Sequence, residues 1–175
     1  IRREAHGQDL QAGRAWSVRL RVEEVSLDPN GAELVLGQLA DAQVGYDSYD
    51  LLDLPPEQDP PDLAADDSAP SLSVVFPHPD WGARAGDYAS DYRPTHRGLP
   101  AASWRFEIRT NEPGRLVQLR LEGPPAILSR STLFDEDTGT RYPASDPRFL
   151  QDGVPVTLHR LVSHFTWRYT GQPNR

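Results

Sequence analysis

The reactive side chains of this sequence are few in kind: five histidines and 26 carboxylates, with no cysteine and no lysine among 175 residues. Without cysteine there are no disulfides, thiolate nucleophiles or thiolate metal sites. Without lysine a phosphate loop of the Gly-x-x-x-x-Gly-Lys type is excluded. The candidate nitrogen ligands are His6, His78, His96, His159 and His164. His159 and His164 stand five apart, so in an unbroken strand they point to opposite faces and cannot share a metal. His78 is boxed between prolines beside Trp81, where packing and a hydrogen bond are the simpler reading. Two acidic sets could offer oxygens to calcium, which takes about six to eight of them. The first is Asp47, Asp50 and Asp53, for which a solvated loop is the plainer alternative. The second, Asp135-Glu136-Asp137-Thr138-Gly139, lacks the EF-hand frame and reads as a hairpin turn. No Gly-x-Ser-x-Gly elbow supports a serine hydrolase. Glycoside hydrolysis needs two carboxyls ~5–10 Å apart across a cleft, which no spacing here dictates. The expectation is a protein that is not an enzyme and needs no cofactor, with calcium at Asp47, Asp50 and Asp53 the one ion the pattern admits.

The aromatic residues divide in two. Trp16, Trp104 and Trp167 alternate with polar neighbours and belong in a core. Trp81, Tyr46, Tyr49, Tyr88 and Tyr92 fall in segments read as loops, beside Asp and Arg. They are the candidate partner- or glycan-binding residues, since such rings can stack on sugars or anchor a protein. The plainer alternative is that they pin long loops onto the body of the domain.

Net charge narrows the partners. A formal charge of −8 argues against nucleic acid, which requires a concentrated basic face, and against docking on anionic lipid. No apolar run approaches the ~20 residues of a membrane span, so no membrane insertion is expected. Opening on Ile1 and lacking methionine, the chain is expected to be a processed product whose leader was removed, or an excised piece.

Positioning these residues calls for strands. Trp16, Val18, Leu20 and Val22 alternate with Ser17, Arg19, Arg21 and Glu23, the pattern of a strand with one face buried. The turn Asp28-Pro29-Asn30-Gly31 and a return over 33–39 complete a hairpin. Leu72, Val74 and Phe76 form another strand, broken at Pro77, and a loop is expected from there to about Pro100. Trp104, Phe106 and Ile108, then Val117, Leu119 and Leu121, mark the clearest pair. Further strands are expected over 127–134, 140–142, 154–158 and 161–169. Residues 1–13 read as an N-terminal arm, and 14–175 as a single domain with a Pro/Asp-rich excursion at about 41–70. With 17 prolines and 13 glycines, this is the punctuation of an all-β, antiparallel β-sandwich, immunoglobulin-like or jelly-roll-like, with long loops.

The order of several motifs carries a resemblance. Gly45-Tyr46-Asp47 precedes an acidic Pro-rich segment, then come Phe76-Pro77-His78-Pro79-Asp80-Trp81-Gly82, Asp91-Tyr92-Arg93 and Trp104-x-Phe106-x-Ile108-x-Thr110. Leu133-Phe134-Asp135-x-Asp137-Thr138-Gly139 follows. Over about 34–170 the chain resembles a recurrent immunoglobulin-like β-sandwich module of large secreted and cell-surface bacterial proteins, often placed before a sorting or dockerin-type tail. The resemblance implies an extracellular or cell-surface location and a structural or accessory role. The expected function is a non-catalytic assembly module that packs against copies of itself or a partner protein, as a filament or surface subunit, an added strand on a sheet edge being one means. The alternative is a carbohydrate-binding module using Trp81, Tyr88 and Tyr92.

Overall fold

Period-two alternation decides which side chains meet in the core. The computed structural model describes residues 15–24, 31–39, 42, 50, 72–94 and 102–170. Among them eleven strands form two sheets that pack together as an all-β sandwich. The first sheet contains β1 (Trp16–Glu24), β2 (Ala32–Leu39), β5 (Ser90–Pro94), β7 (Arg115–Glu122) and β10 (Val154–Leu158), in the order β10-β7-β1-β2-β5. The second contains β3 (Leu72–His78), β4 (Gly86–Tyr88), β6 (Ala102–Thr110), β8 (Ser131–Asp135), β9 (Arg141–Pro143) and β11 (Val162–Tyr169). Its order is β4-β3-β6-β11-β8-β9. The expected arm over 1–13, residues 28–30 of the first turn, and the 41–70 excursion apart from Ala42 and Asp50 lie outside the described residues.

The inward sets are those the alternation marks. Val18, Leu20, Val22, Val117 and Leu119 face Trp104, Phe106, Ile108, Phe165 and Trp167, all fully buried. β1, β6, β7 and β11 place such a residue at every second position, and burying one large apolar side chain stabilises the fold by about 1.5–3 kcal/mol before entropy is counted. Two tryptophans in this core satisfy their N–H groups, Trp16 on Gln38 and Trp104 on the Asp91 carbonyl. Trp167 finds no hydrogen-bond partner among the described residues.

Four expectations need correction. β3 does not break at Pro77 but runs on to His78. Its last partner in β6 is paired with Val75, so among the described residues Pro77 has only β4 beside it and the missing N–H disrupts less. The loop expected up to Pro100 contains a 3-10 turn (Gly82–Arg84) and the strands β4 and β5. The strand expected over 127–134 begins as a helical turn, α1 (Pro125–Leu128), because proline is suited to a first helical turn; β8 follows only at Ser131. Finally, β2 and β5 pair in parallel, while the other pairs are antiparallel. The chain between them passes through β3 and β4 of the other sheet, the crossover a parallel pair requires.

Among the described residues the sheet edges are short. β4 and β9 have three residues each, β5 and β10 five. Pro94, Pro143 and Pro155 lie in three of these four, removing donors an added strand would use. Such edges accept an incoming strand poorly.

Gly37 in β2 marks a close approach of backbones and rings. A Cβ there would run into the Trp16 carbonyl oxygen of β1 and lie 3.0 Å from the Tyr92 ring. Gly37→Ala is therefore expected to destabilise the protein by about 1–3 kcal/mol, read as a lower urea midpoint at unchanged slope. An unchanged midpoint would show that the ring and strand yield freely.

Candidate functional site

Three of the sequence-predicted candidates, His78, Trp81 and Tyr88, meet at the corner where the chain leaves one sheet for the other. After β3, Pro79-Asp80-Trp81-Gly82 reverses direction, with Gly82 at φ +55°, a left-handed conformation that favours glycine. The turn folds Trp81 back over His78, and the rings stack at 3.6 Å with an interplanar angle of 3°. Tyr88 meets both edge-on. The chain then moves from β4 in the six-stranded sheet to β5 in the five-stranded sheet through Ala89 alone. Asp91 thus reaches His78 from the opposite layer.

Asp91 is 2% exposed, and a buried carboxylate is costly unless paired. Its Oδ2 lies 2.9 Å from His78 Nε2, and Arg93 donates to both oxygens, at 3.3 Å from Nε and 3.2 Å from Nη2. The Asp91 carbonyl accepts from Trp104 Nε1 at 3.1 Å. The other imidazole nitrogen, Nδ1, faces Asp80 Oδ1 at 3.8 Å. An imidazole oriented by a buried carboxylate is the arrangement that prepares a general base. Here, among the described residues, no hydroxyl stands against Nδ1, and one face of the ring is covered by Trp81. What the arrangement does is tie the two sheets together.

Tyr88 and Tyr92 do not lie in loops. They occupy β4 and β5, and both are buried, so neither offers a ring face to a ligand. Tyr88 belongs to the main core, whereas Tyr92 packs with Ala15, Val35, Leu39 and Ala42 in a separate small cluster. Trp81 is partly buried against the main core. The three rings therefore form no common platform. Tyr46, Tyr49, Asp47 and Asp53 lie outside the described residues. Asp50, 4% exposed, accepts the backbone N–H of Tyr92 at 2.9 Å, so this carboxylate anchors an edge strand. Among the described residues no cluster of three His, Asp or Glu is arranged to hold a metal ion.

Burial pushes the Tyr92 hydroxyl up to about 12; the Asp50 charge adds to this, while Arg19 and a hydrogen bond to Ser17 oppose it. The sign follows directly. Below pH 10 the folded and unfolded chains both keep the proton, whereas between about 10 and 12 only the unfolded chain releases it. Stability is expected to fall over that window by roughly 2–3 kcal/mol. Tyr92→Phe should flatten this part of a urea-stability profile, and an equally steep fall in the variant would contradict the assignment.

A second charged set lies on the outer face of the six-stranded sheet. Arg109 bridges Asp87 and Glu107. His164 sits 3.6 Å from Glu107 and 3.7 Å from Asp137. Only the outward pointing of Arg105, Glu107 and Arg109 was readable from the alternation. His159 is exposed beyond the end of β10. The Asp135–Gly139 turn is built as expected: Asp135 Oδ1 accepts from the backbone of Asp137 and Thr138, and Gly139 takes φ +74°. No family model matches the chain, and neither does any curated protein or solved structure.

Proposed function

We propose that this chain is a non-catalytic structural or assembly module of the cell surface or extracellular space, packing against a protein partner or copies of itself. The observation that carries the reading is the engagement of its most reactive-looking pair. His78 and Asp91 are locked between the sheets by Arg93, Trp81 and Trp104, which makes them a brace. The extracellular placement rests on the resemblance of the ordered motifs. Contact with the partner is made through faces and loops, since the short, proline-bearing edges are poorly suited to strand addition. The alternative of a glycan platform built on Trp81, Tyr88 and Tyr92 draws no support from rings that are mostly buried.

Light scattering on protein isolated from its source tests the proposal. The expected result is a mass above that of one chain, with exchange of the Thr157 amide on the β10 edge unchanged by association. A lone monomer in that material, or a hydrolytic turnover abolished by His78→Gln, would overturn the reading.

A further inference from the structure

We infer that one half of the outer face of the six-stranded sheet receives the acidic, proline-rich stretch of a second copy of this chain. The inference rests on the assembly reading above and names the two surfaces that meet. Most described arginines are neutralised by a carboxylate, as Arg19 is by Glu33 and Arg115 by Glu24. Arg141 and Arg168, both exposed, have no carboxylate partner among the described residues. Both project from the same face. Trp167 and Tyr169 turn into the core, so Arg168 between them turns outward. Leu133 and Asp135 turn inward on either side of Phe134, whose ring carries the Arg141 guanidinium at 5.6 Å. The register sets Arg168 opposite Thr132 and Arg141 opposite Phe134, on three neighbouring strands. Arg105 extends the row on β6, opposite Thr166, and is held by Glu136 at 2.9 Å. Among the described residues this half of the face thus has three guanidiniums for one carboxylate. The half around Arg109 and Glu107 is paired within itself.

Charge selects the occupant. At −8 overall, two copies repel unless a cationic surface of one meets an acidic surface of the other. The sequence supplies the acidic counterpart, since residues 41–67 contain nine carboxylates and no Arg, Lys or His. Asp50 is engaged with Tyr92, which leaves eight. Spacing agrees with charge. Arg168 and Arg141 are two strands and two residues apart, about 12 Å at ~4.8 Å per strand and ~3.3 Å per residue. Asp62 and Asp66, four residues apart, would span about 12 Å when bound in an extended form at ~3.1 Å per residue. A guanidinium lying on an aromatic ring keeps its N–H edge open to a carboxylate. Leu63, between the two aspartates in sequence, would give apolar cover to the half-buried Phe134 ring. Because the arginine face and the acidic stretch are different surfaces, every bound copy has one of them left over. Association therefore runs head to tail and can extend into a filament.

The test is light scattering of the purified chain over a concentration series at ~50 mM and ~500 mM NaCl, because high salt screens such pairs. Mass should grow with concentration at low salt, and association should weaken at least ~tenfold at high salt. Arg141→Glu with Arg168→Glu, and separately Asp62→Arg with Asp66→Arg, should each leave monomers over the same range. Mixing the two double variants should restore association, since each then finds an oppositely charged surface on the other. Arg141→Gln with Arg168→Gln removes charge without adding repulsion and should give an intermediate loss at unchanged circular dichroism. Wild-type association in the reversed-arginine variant, or monomers in the mixture, would overturn the inference while the assembly reading stood. A wild type monomeric at every concentration would overturn it too, and would leave that reading only a partner protein. So would a monomer that instead bound a sulfated hexasaccharide through Arg141 and Arg168, which would make the face a glycan site.

Discussion

Asp91→Ala is expected to lower the free energy of unfolding by roughly 3–5 kcal/mol, the cost of breaking a buried ion pair by removing one partner. The Asp91 carboxylate is buried, touches His78 on the far sheet and holds the Arg93 guanidinium. Deleting it leaves His78 Nε2 enclosed beneath Trp81 without that partner, and leaves Arg93 above the Trp104 ring without its counter-charge. Because β3 and β5 lie in different sheets, the damage reaches the packing between layers. Asp91→Asn keeps an acceptor but loses the charge, so its penalty should be smaller. Urea unfolding of both variants reads the difference. Equal, small losses below ~1 kcal/mol would show that the carboxylate braces nothing.

Trp104→Ala should rank with it, at about 3–5 kcal/mol, the usual range for removing a fully buried aromatic. Its ring meets Trp16 edge-to-face at 5.5 Å across the two sheets, and its indole N–H satisfies the Asp91 carbonyl. Truncation would open a cavity and strand that carbonyl, two costs that add. Trp104→Phe separates them, since most of the ring volume returns and the hydrogen bond does not. A penalty of about 1–2 kcal/mol for Phe would be the share of the orphaned carbonyl and imperfect filling. If Trp104→Ala unfolded at nearly the wild-type urea concentration, the ring could not be a centre of the core.

Strands with three or four alternating apolar positions were legible from the sequence, because that periodicity is specific to a strand with one buried face. β1, β6, β7 and β11 fall where Trp16 to Val22, Trp104 to Ile108, Val117 to Leu121 and Phe165 to Tyr169 place them. β4 and β5 were hidden for the opposite reason. Three to five residues, Gly-Asp-Tyr in β4 and Ser-Asp-Tyr-Arg-Pro in β5, contain too few apolar positions to set a period, so Tyr88 and Tyr92 read as loop rings. The Asp135–Gly139 turn was legible because its geometry is local. The corner was not. His78 and Asp91 are thirteen residues apart, and Asp50 is 42 from Tyr92. Both contacts exist only because the chain changes sheets at Ala89, an event with no signature in residue type.

A double-mutant cycle on His78→Gln and Asp91→Asn measures this cross-layer brace most directly. If the pair joins the sheets as described, the two losses in urea stability should be coupled by more than roughly 1 kcal/mol, as groups in contact are. Additivity within ~0.3 kcal/mol, with both variants still rich in β-structure, would mean that the imidazole and the carboxylate serve something other than the fold.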